Sequence, residues 1–363
     1  MTIHERKKTR AVRAGDLVIG GGAPISVQSM TSVPLEDVSA TINQIKSLEQ
    51  HGAQVIRLAV RSIASAAYLK EIRAATSVVL TADIHFNHLI AIESIKAGVN
   101  KVRINPGNIG DASRVREVVK AAKDYGVPIR IGVNGGSIDR KKYADITPET
   151  LAESALDHVK ILEDNDFHEI VVSIKSSNIQ QTILANQIFS ELRDYPLHIG
   201  LTEAGYGLNC IVQSSIAIGH LLMNGIGDTI RVSMTGDPVD EVIAGRKILE
   251  AVGERRPRIR IISCPTCGRT DSEIDVLTLA KEVEDAALKH YEERLMNADI
   301  SITIAVMGCE VNGPGEASES DCGLAGARGG ELLLFAGGKK LRKVYKNEAV
   351  KELLGEIEKM FFS

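Results

Sequence analysis

Eight short runs rich in β-branched residues recur through the first two thirds of the chain: PISVQSM (24–30), QVIRLAV (54–60), SVVLTADIHF (77–86), KVRINPGN (101–108), VPIRIGVN (127–134), HEIVVSIKSS (168–177), LHIGLTEAG (197–205) and DTIRVSMTG (228–236). Between them lie stretches with apolar residues at helical spacing, such as VSATINQIKSLEQHGA and DASRVREVVKAAKDYGV. Several end on glycine, a residue that stops helices, and Gly52, Gly98 and Gly126 each stand just before a new strand. This alternation, at the pitch of a βα unit, predicts a parallel (β/α)8 TIM barrel. An open doubly wound sheet is the competing arrangement, but no G-x-G-x-x-G fingerprint opens a helix.

The pattern breaks near residue 250. GERRPRIR (253–260) is charged, carries a proline and reads as a domain edge. A different set follows: a strand at 258–262, a long helix over about 273–296, strands at 300–306, 331–336 and 339–345, and a helix from about 347. Few helices and mostly adjacent strands predict a smaller α+β domain. The division expected is therefore 1–250 for the barrel and 251–363 for the second domain. The Gly-rich segment MGCEVNGPGEASESDCGLAGARGGE reads as one long loop, of a length that usually serves function. VIGGGAP (18–24) precedes a strand rather than a helix, so it reads as a turn and not a phosphate loop.

Parallel barrel strands are buried on both faces and should be almost wholly apolar. Here several carry charge near their C-terminal ends: Arg57, Asp83, His85, Arg103, Arg130, Lys175, Glu203 and Arg231. Polar positions recur two or four residues apart, as Asp83 with His85, Arg103 with Asn105, Arg130 with Asn134, Ser173 with Lys175, and Arg231 with Ser233. Even spacing puts each set on one face of its strand. Burying so many charges in a packed core costs several kcal/mol each, on the order of the penalty for any buried ion. At the C-terminal mouth of a barrel they would instead line the place where active sites sit. Four arginines and a lysine there predict a cationic cup for a small, multiply anionic ligand, most simply a diphosphate. Asp83, His85 and Glu203 are the groups able to move protons among those cations.

SCPTCG (263–268) places Cys264 and Cys267 three residues apart, enough for one face of a metal site and too few to close it. Cys309 opens the Gly-rich segment as a third candidate. Cys210, in GLNCIVQSSIAIGHL, reads as a core residue, and Cys322 is a fourth ligand by spacing alone. A zinc ribbon repeats its C-x-x-C pair, and no second pair exists here. Three thiolates with one weaker or open position suit a [4Fe–4S] cluster.

Together SCPTCG and MGCEVNGPGEA resemble the signatures of the 4-hydroxy-3-methylbut-2-enyl diphosphate synthase family, iron–sulfur enzymes of the non-mevalonate isoprenoid pathway. The similarity extends to ADIHF, VRINPGN, PIRIGVN and IGLTEAG, and the length matches the bacterial two-domain form. The resemblance implies a [4Fe–4S] cluster on Cys264, Cys267, Cys309 and Glu316; the residues alone would not choose Glu316 over Cys322. It implies reductive ring opening and dehydration of 2-C-methyl-D-erythritol 2,4-cyclodiphosphate to 4-hydroxy-3-methylbut-2-enyl diphosphate. Arg57, Arg103, Asn105, Arg130, Asn134, Ser173, Lys175, Arg231 and Ser233 would then bind substrate. Glu203 ranks first as proton donor, ahead of the Asp83–His85 pair. A head-to-tail homodimer is also implied, with the active site between the barrel of one chain and the cluster domain of the other. Flavodoxin or ferredoxin would supply electrons, since no flavin or nicotinamide fingerprint is visible.

Composition narrows the alternatives. A net charge of −4, no tryptophan and 4% aromatic residues argue against a nucleic-acid surface, and with it against the rival reading of a cluster-bearing sensor or binding protein without catalysis. No apolar run reaches membrane-spanning length, and the basic N-terminus lacks the apolar stretch of a secretory signal. A cytoplasmic location is expected, where five cysteines point to metal, catalysis or packing rather than to disulfides.

Overall fold

Eight parallel strands build the first unit: β3 (Ser26–Met30), β4 (Val55–Ala59), β5 (Val79–Asp83), β6 (Lys101–Ile104), β7 (Ile129–Asn134), β8 (Ile170–Lys175), β9 (His198–Ile199) and β10 (Thr229–Ile230). The computed structural model describes residues 5–106, 109–138, 141–298, 300–309, 319–327 and 329–363. Its strands run in the order β8-β7-β6-β5-β4-β3-β10-β9, and a parallel bridge between Val172 and Leu197 joins the two ends into a barrel. Eight helices alternate with them: α1 (Val38–Gln50), α2 (Ile63–Ala74), α3 (His88–Lys96), α4 (Ala112–Tyr125), α5 (Pro148–Glu163), α6 (Ile179–Leu192), α7 (Gly207–Met223) and α8 (Pro238–Ala251). Most start where the sequence supplies an N-cap. The side chains of Asp37, Ser62, Asn87, Asp111, Thr147, Asn178 and Asp237 each accept a hydrogen bond from a first-turn amide.

The outward strand residues, among them Ile56, Leu80, Val102, Ile131, Val172 and Ile230, are buried in the main core. The inward face is different. An antiparallel hairpin, β1 (Val12–Ala14) with β2 (Leu17–Ile19), packs Val12, Ala14 and Ile19 against Val55, Val79 and Val171, close to the N-terminal ends of their strands. Above this apolar plug the inner face is polar up to the mouth. The polar residues there are buried, including Gln28, Thr81, Lys101, Arg130, Ser173 and Thr229. Barrels ordinarily fill that space with branched apolar side chains.

The run at 197–205 stays in strand for only two residues. Gly200 leaves the ladder at φ 151°, and a Cβ there would sit 2.2 Å from the Arg231 carbonyl oxygen. Glu203, expected on that strand, therefore stands on the following loop with φ 56°.

Contacts divide the chain into Met1–Arg255 and Arg256–Ser363. The second unit is a five-stranded sheet in the order β11 (Ile259–Ser263), β12 (Ile302–Met307), β13 (Cys322–Gly326), β14 (Glu331–Ala336) and β15 (Lys339–Tyr345). The first three are parallel and the last two antiparallel. Helices α9 (Val276–Ala298) and α10 (Ala349–Phe361) pack Val283, Leu295, Leu353 and Ile357 onto one face of it. Strand β13 corrects the expectation of an unbroken loop between 307 and 331. CGLAG has no β-branched residue to announce a strand. Its small residues fit a tight place: a Cβ on Gly323 would come 2.3 Å from the Ala305 carbonyl oxygen.

Candidate active site

Strand register gathers the charged residues at one end of the barrel. Asp83 pairs in register with Arg103, Arg103 with Arg130, and Asn134 with Lys175. Together with Arg57, His85, Ser173, Arg231 and Ser233 they line one cavity of about 190 Å3. Asn105 and Glu203 line a wider space of about 670 Å3, which shares His85, Arg103, Asn134 and Thr202 with the first. Every barrel residue singled out in the sequence therefore lies at this mouth.

The cations divide into held and unheld. Asp83 takes Arg103 Nη1 at 3.2 Å on one oxygen and Arg57 Nε at 3.5 Å on the other. Arg57 also lies against the Met30 sulfur at 2.9 Å. Arg231 makes a two-pronged pair with Glu241, at 2.9 and 3.1 Å, and Glu241 is itself held by Ser29 Oγ and the Met234 amide. By contrast, no described residue pairs with Lys175, and Nε and Nη1 of Arg130 are buried without a partner. Room for these side chains comes from glycine: a Cβ on Gly132 would stand 2.6 Å from Arg103 Nε, and one on Gly200 would stand 3.0 Å from Lys175 Nζ.

Burial, reinforced by neighbouring positive charge, pushes Arg57 down to about 10 and both Arg130 and Lys175 well below their ordinary values. For Asp83, burial alone would raise the carboxyl, but Arg57, the His85 hydrogen bond and Arg103 hold it far below the usual carboxylate range. Asp83 is thus a fixed anion. His85 is mostly exposed, with a ring nitrogen 3.2 Å from Arg103 Nη1, and Glu203 is exposed on its strained turn. A mouth with this excess of desolvated donors is built for anionic oxygens.

In the second unit the thiols stand at one sheet edge. Cys264 follows the last residue of β11, and Cys309 lies two residues past β12, its parallel neighbour. The Gly308 amide donates to Cys264 Sγ at 3.1 Å, the kind of N–H···S contact that tunes a cluster thiolate. Cys267 is exposed, Cys264 and Cys309 are half-buried, and none is in a disulfide. Among the described residues no three potential ligands yet converge on one point, and Glu316 lies outside those residues. The donor set fits a thiolate-bound cluster: cysteines outside any disulfide and at least partly exposed, one already receiving a backbone N–H. Cys322 does not share that edge. It opens β13 fully buried, with its thiol pushed up to about 12 by burial. Cys210 is equally buried, near Ser214 Oγ and the Ser233 carbonyl oxygen.

Two described domains cover this chain almost end to end: the GcpE TIM-barrel domain over residues 9–246 and the GcpE protein C-terminal domain over residues 260–359. The chain belongs to the GcpE family. Among curated GcpE relatives, a 4-hydroxy-3-methylbut-2-en-1-yl diphosphate synthase (flavodoxin) of Clostridium perfringens is 49% identical over 356 residues, 97% of this chain and 99% of its own. Enzymes of the same description from Symbiobacterium thermophilum and Caldanaerobacter subterraneus are also 49% identical. They cover 98% and 99% of this chain and 94% and 99% of their own. Among solved structures, a dihydropteroate synthase of Yersinia pestis aligns with 67% of this chain and 98% of its own, at 13% identity and a TM-score of 0.49.

Three residues of this GcpE barrel escaped the sequence reading. Lys101 stands two residues before Arg103, so strand alternation alone could have put it on the inner face. His198 sits inside an apolar run that hides it, and Glu241 lies on α8 with nothing local to mark it as the Arg231 clamp.

Proposed function

We propose that the chain carries out reductive ring opening and dehydration of 2-C-methyl-D-erythritol 2,4-cyclodiphosphate to 4-hydroxy-3-methylbut-2-enyl diphosphate. One observation carries this reading: five cations, Arg103 and Arg130 buried and Arg57, Lys175 and Arg231 half-buried, converge at the mouth of a barrel whose sequence is about half identical, nearly throughout, to enzymes of that description. Arg130 and Lys175, without a paired acid among the described residues, take diphosphate oxygens directly. Arg57, Arg103 and Arg231 are set in position by Asp83 and Glu241 and complete the ring of donors. Asn105, Asn134, Ser173 and Ser233 orient the remaining oxygens.

Proton delivery falls to Glu203, with His85 as the second choice. Asp83 orients the guanidiniums instead, because a carboxylate held ionised by two arginines has no proton to give near neutrality. Cys264, Cys267 and Cys309 would hold the [4Fe–4S] cluster, with Glu316 as the fourth ligand. When bound, the cluster supplies the two electrons singly. The description of the relatives supports flavodoxin as the donor. In this proposal the active site is completed in a homodimer by the cluster unit of a second chain.

The test is product formation by anoxically purified, cluster-loaded protein with the cyclic diphosphate and a chemical reductant. Conversion to the open diphosphate alcohol is expected. A fully loaded protein that binds the cyclic diphosphate and leaves it unchanged would overturn the reading.

A further inference from the structure

Below the cup the barrel holds a second polar layer that the proposed chemistry does not use. Lys101 and His198 are both 0% exposed. Lys101 Nζ and both ring nitrogens of His198 have no hydrogen-bond partner among the described residues. The same is true of both amide atoms of Gln28 and the hydroxyls of Thr81 and Thr229 beside them. Register places Lys101 against Thr81, and His198 against Thr229. Unpaired donors and acceptors at that depth are costly unless they serve a purpose.

What surrounds the two bases is mostly positive. Arg57 on β4, Arg103 on β6, Arg130 on β7, Lys175 on β8 and Arg231 on β10 stand above them. The carboxylates in the same interior are Asp83, engaged by Arg57 and Arg103, and Glu241, engaged by Arg231. Beneath lies the uncharged plug of Val12, Ala14 and Ile19. Asp228, at the start of β10, is occupied by Arg6, Thr9 and the Leu197 amide. Burial, then Arg130 and Arg57, push the Lys101 amine well down. Burial, then Lys175, Arg130, Lys101 and Arg57, do the same to His198. With the cup empty, both bases are therefore held toward their neutral forms.

We infer that Lys101 and His198 form a proton-accepting floor beneath the cup, charging as a diphosphate binds above them. The inference rests on the reading of the cup as a diphosphate site. Anionic oxygens at Arg130 and Lys175 offset the positive potential that disfavours charge on the floor, so binding draws protons from solvent into the barrel. The two residues position charge; they touch neither substrate nor cluster. The sign follows directly. Groups with depressed affinity for protons in the free protein gain it in the complex, so substrate affinity falls as pH rises between the two values. The fall is about tenfold per pH unit for each proton taken up.

Calorimetry of the cluster-loaded protein with the cyclic diphosphate, in buffers of different ionisation enthalpy, reads this uptake. Each phosphorus of that ligand carries a single strongly acidic oxygen, ionised throughout, so protons taken up belong to the protein. The expected binding enthalpy depends on the buffer with a slope of about one proton or more. Lys101→Met or His198→Gln should lower the slope while binding persists; Lys175 titrates in the cup itself and should account for any remainder. A slope of zero in the wild type, or one unchanged in both variants, overturns the inference and leaves the cup intact. If neither variant folds, wild-type affinity decides: a value flat across about pH 6 to 9 overturns it. No binding at any pH would remove the cup reading and this inference with it.

Discussion

Backbone strain falls at or beside several of the proposed site residues. Among the described residues, non-glycine positive φ occurs at Phe86, Asp166, Glu203 and Thr266. Phe86 follows His85, Thr266 sits between Cys264 and Cys267, and Glu203 is the expected proton donor. A side chain in this conformation is kept against its preference, and function is the usual reason. Glu203→Gly should therefore raise stability, by about 1 kcal/mol in urea unfolding, while turnover collapses. Glu203→Gln keeps the strain and the shape; it should bind the cyclic diphosphate normally and turn it over slowly. Normal turnover in both would dismiss Glu203 as the acid. Arg130→Ala acts at the other end of the reaction. Losing a charge-assisted contact costs about 1.5–3 kcal/mol, so affinity for the cyclic diphosphate should fall roughly tenfold or more with the visible cluster spectrum unchanged.

At the scale of elements, the barrel was readable because its signal is repetitive: alternating runs and caps, and inward charges at even spacing. What escaped has a physical reason in each case. Strand β13 is made of small residues and shows no β-branched pattern; the β1–β2 hairpin is too short to stand out. The Arg231–Glu241 clamp joins a strand end to a helix start, which no local pattern reports. Among the cysteines, spacing alone left Cys322 open as a ligand, and only the position of β13 separates it from the edge that carries Cys264 and Cys309. Cys322→Ser should hence leave iron content near wild type. It should also cost about 1–3 kcal/mol of stability in urea unfolding, because a hydroxyl replaces a thiol inside an apolar core. Cys264→Ser, Cys267→Ser and Cys309→Ser should each lower iron content sharply. Iron lost from Cys322→Ser and retained in these three would reverse the ligand assignment.

At the scale of the whole molecule, each unit has its own chain direction. The cup opens where the barrel strands end. The chain leaves the barrel at Arg255, which reaches Gln54 beside the start of β4, at the opposite edge. A six-residue strand such as β8 spans about 20 Å between those edges. In the second unit the link enters at the start of β11, while Cys264 follows its end. Each unit thus carries its reactive residues at the end remote from the link. The proposed arrangement, in which a cup receives the cluster of another chain, makes a distinct prediction. Mixing two inactive variants tests it. Arg103→Ala keeps its thiols and loses the cup; Cys309→Ser keeps the cup and loses a thiolate. If a site draws on two chains, a mixed dimer holds one site with both defects and one with neither. Dissociated and re-paired at equal amounts, the two proteins should recover about a quarter of wild-type activity, since half the dimers are mixed and each has one intact site. If each chain serves its own cup, every site keeps one defect, and the mixture stays as inactive as its parts. Native mass spectrometry of the same sample verifies that mixed dimers formed, so an inactive mixture rich in them would rule out the cross-chain site.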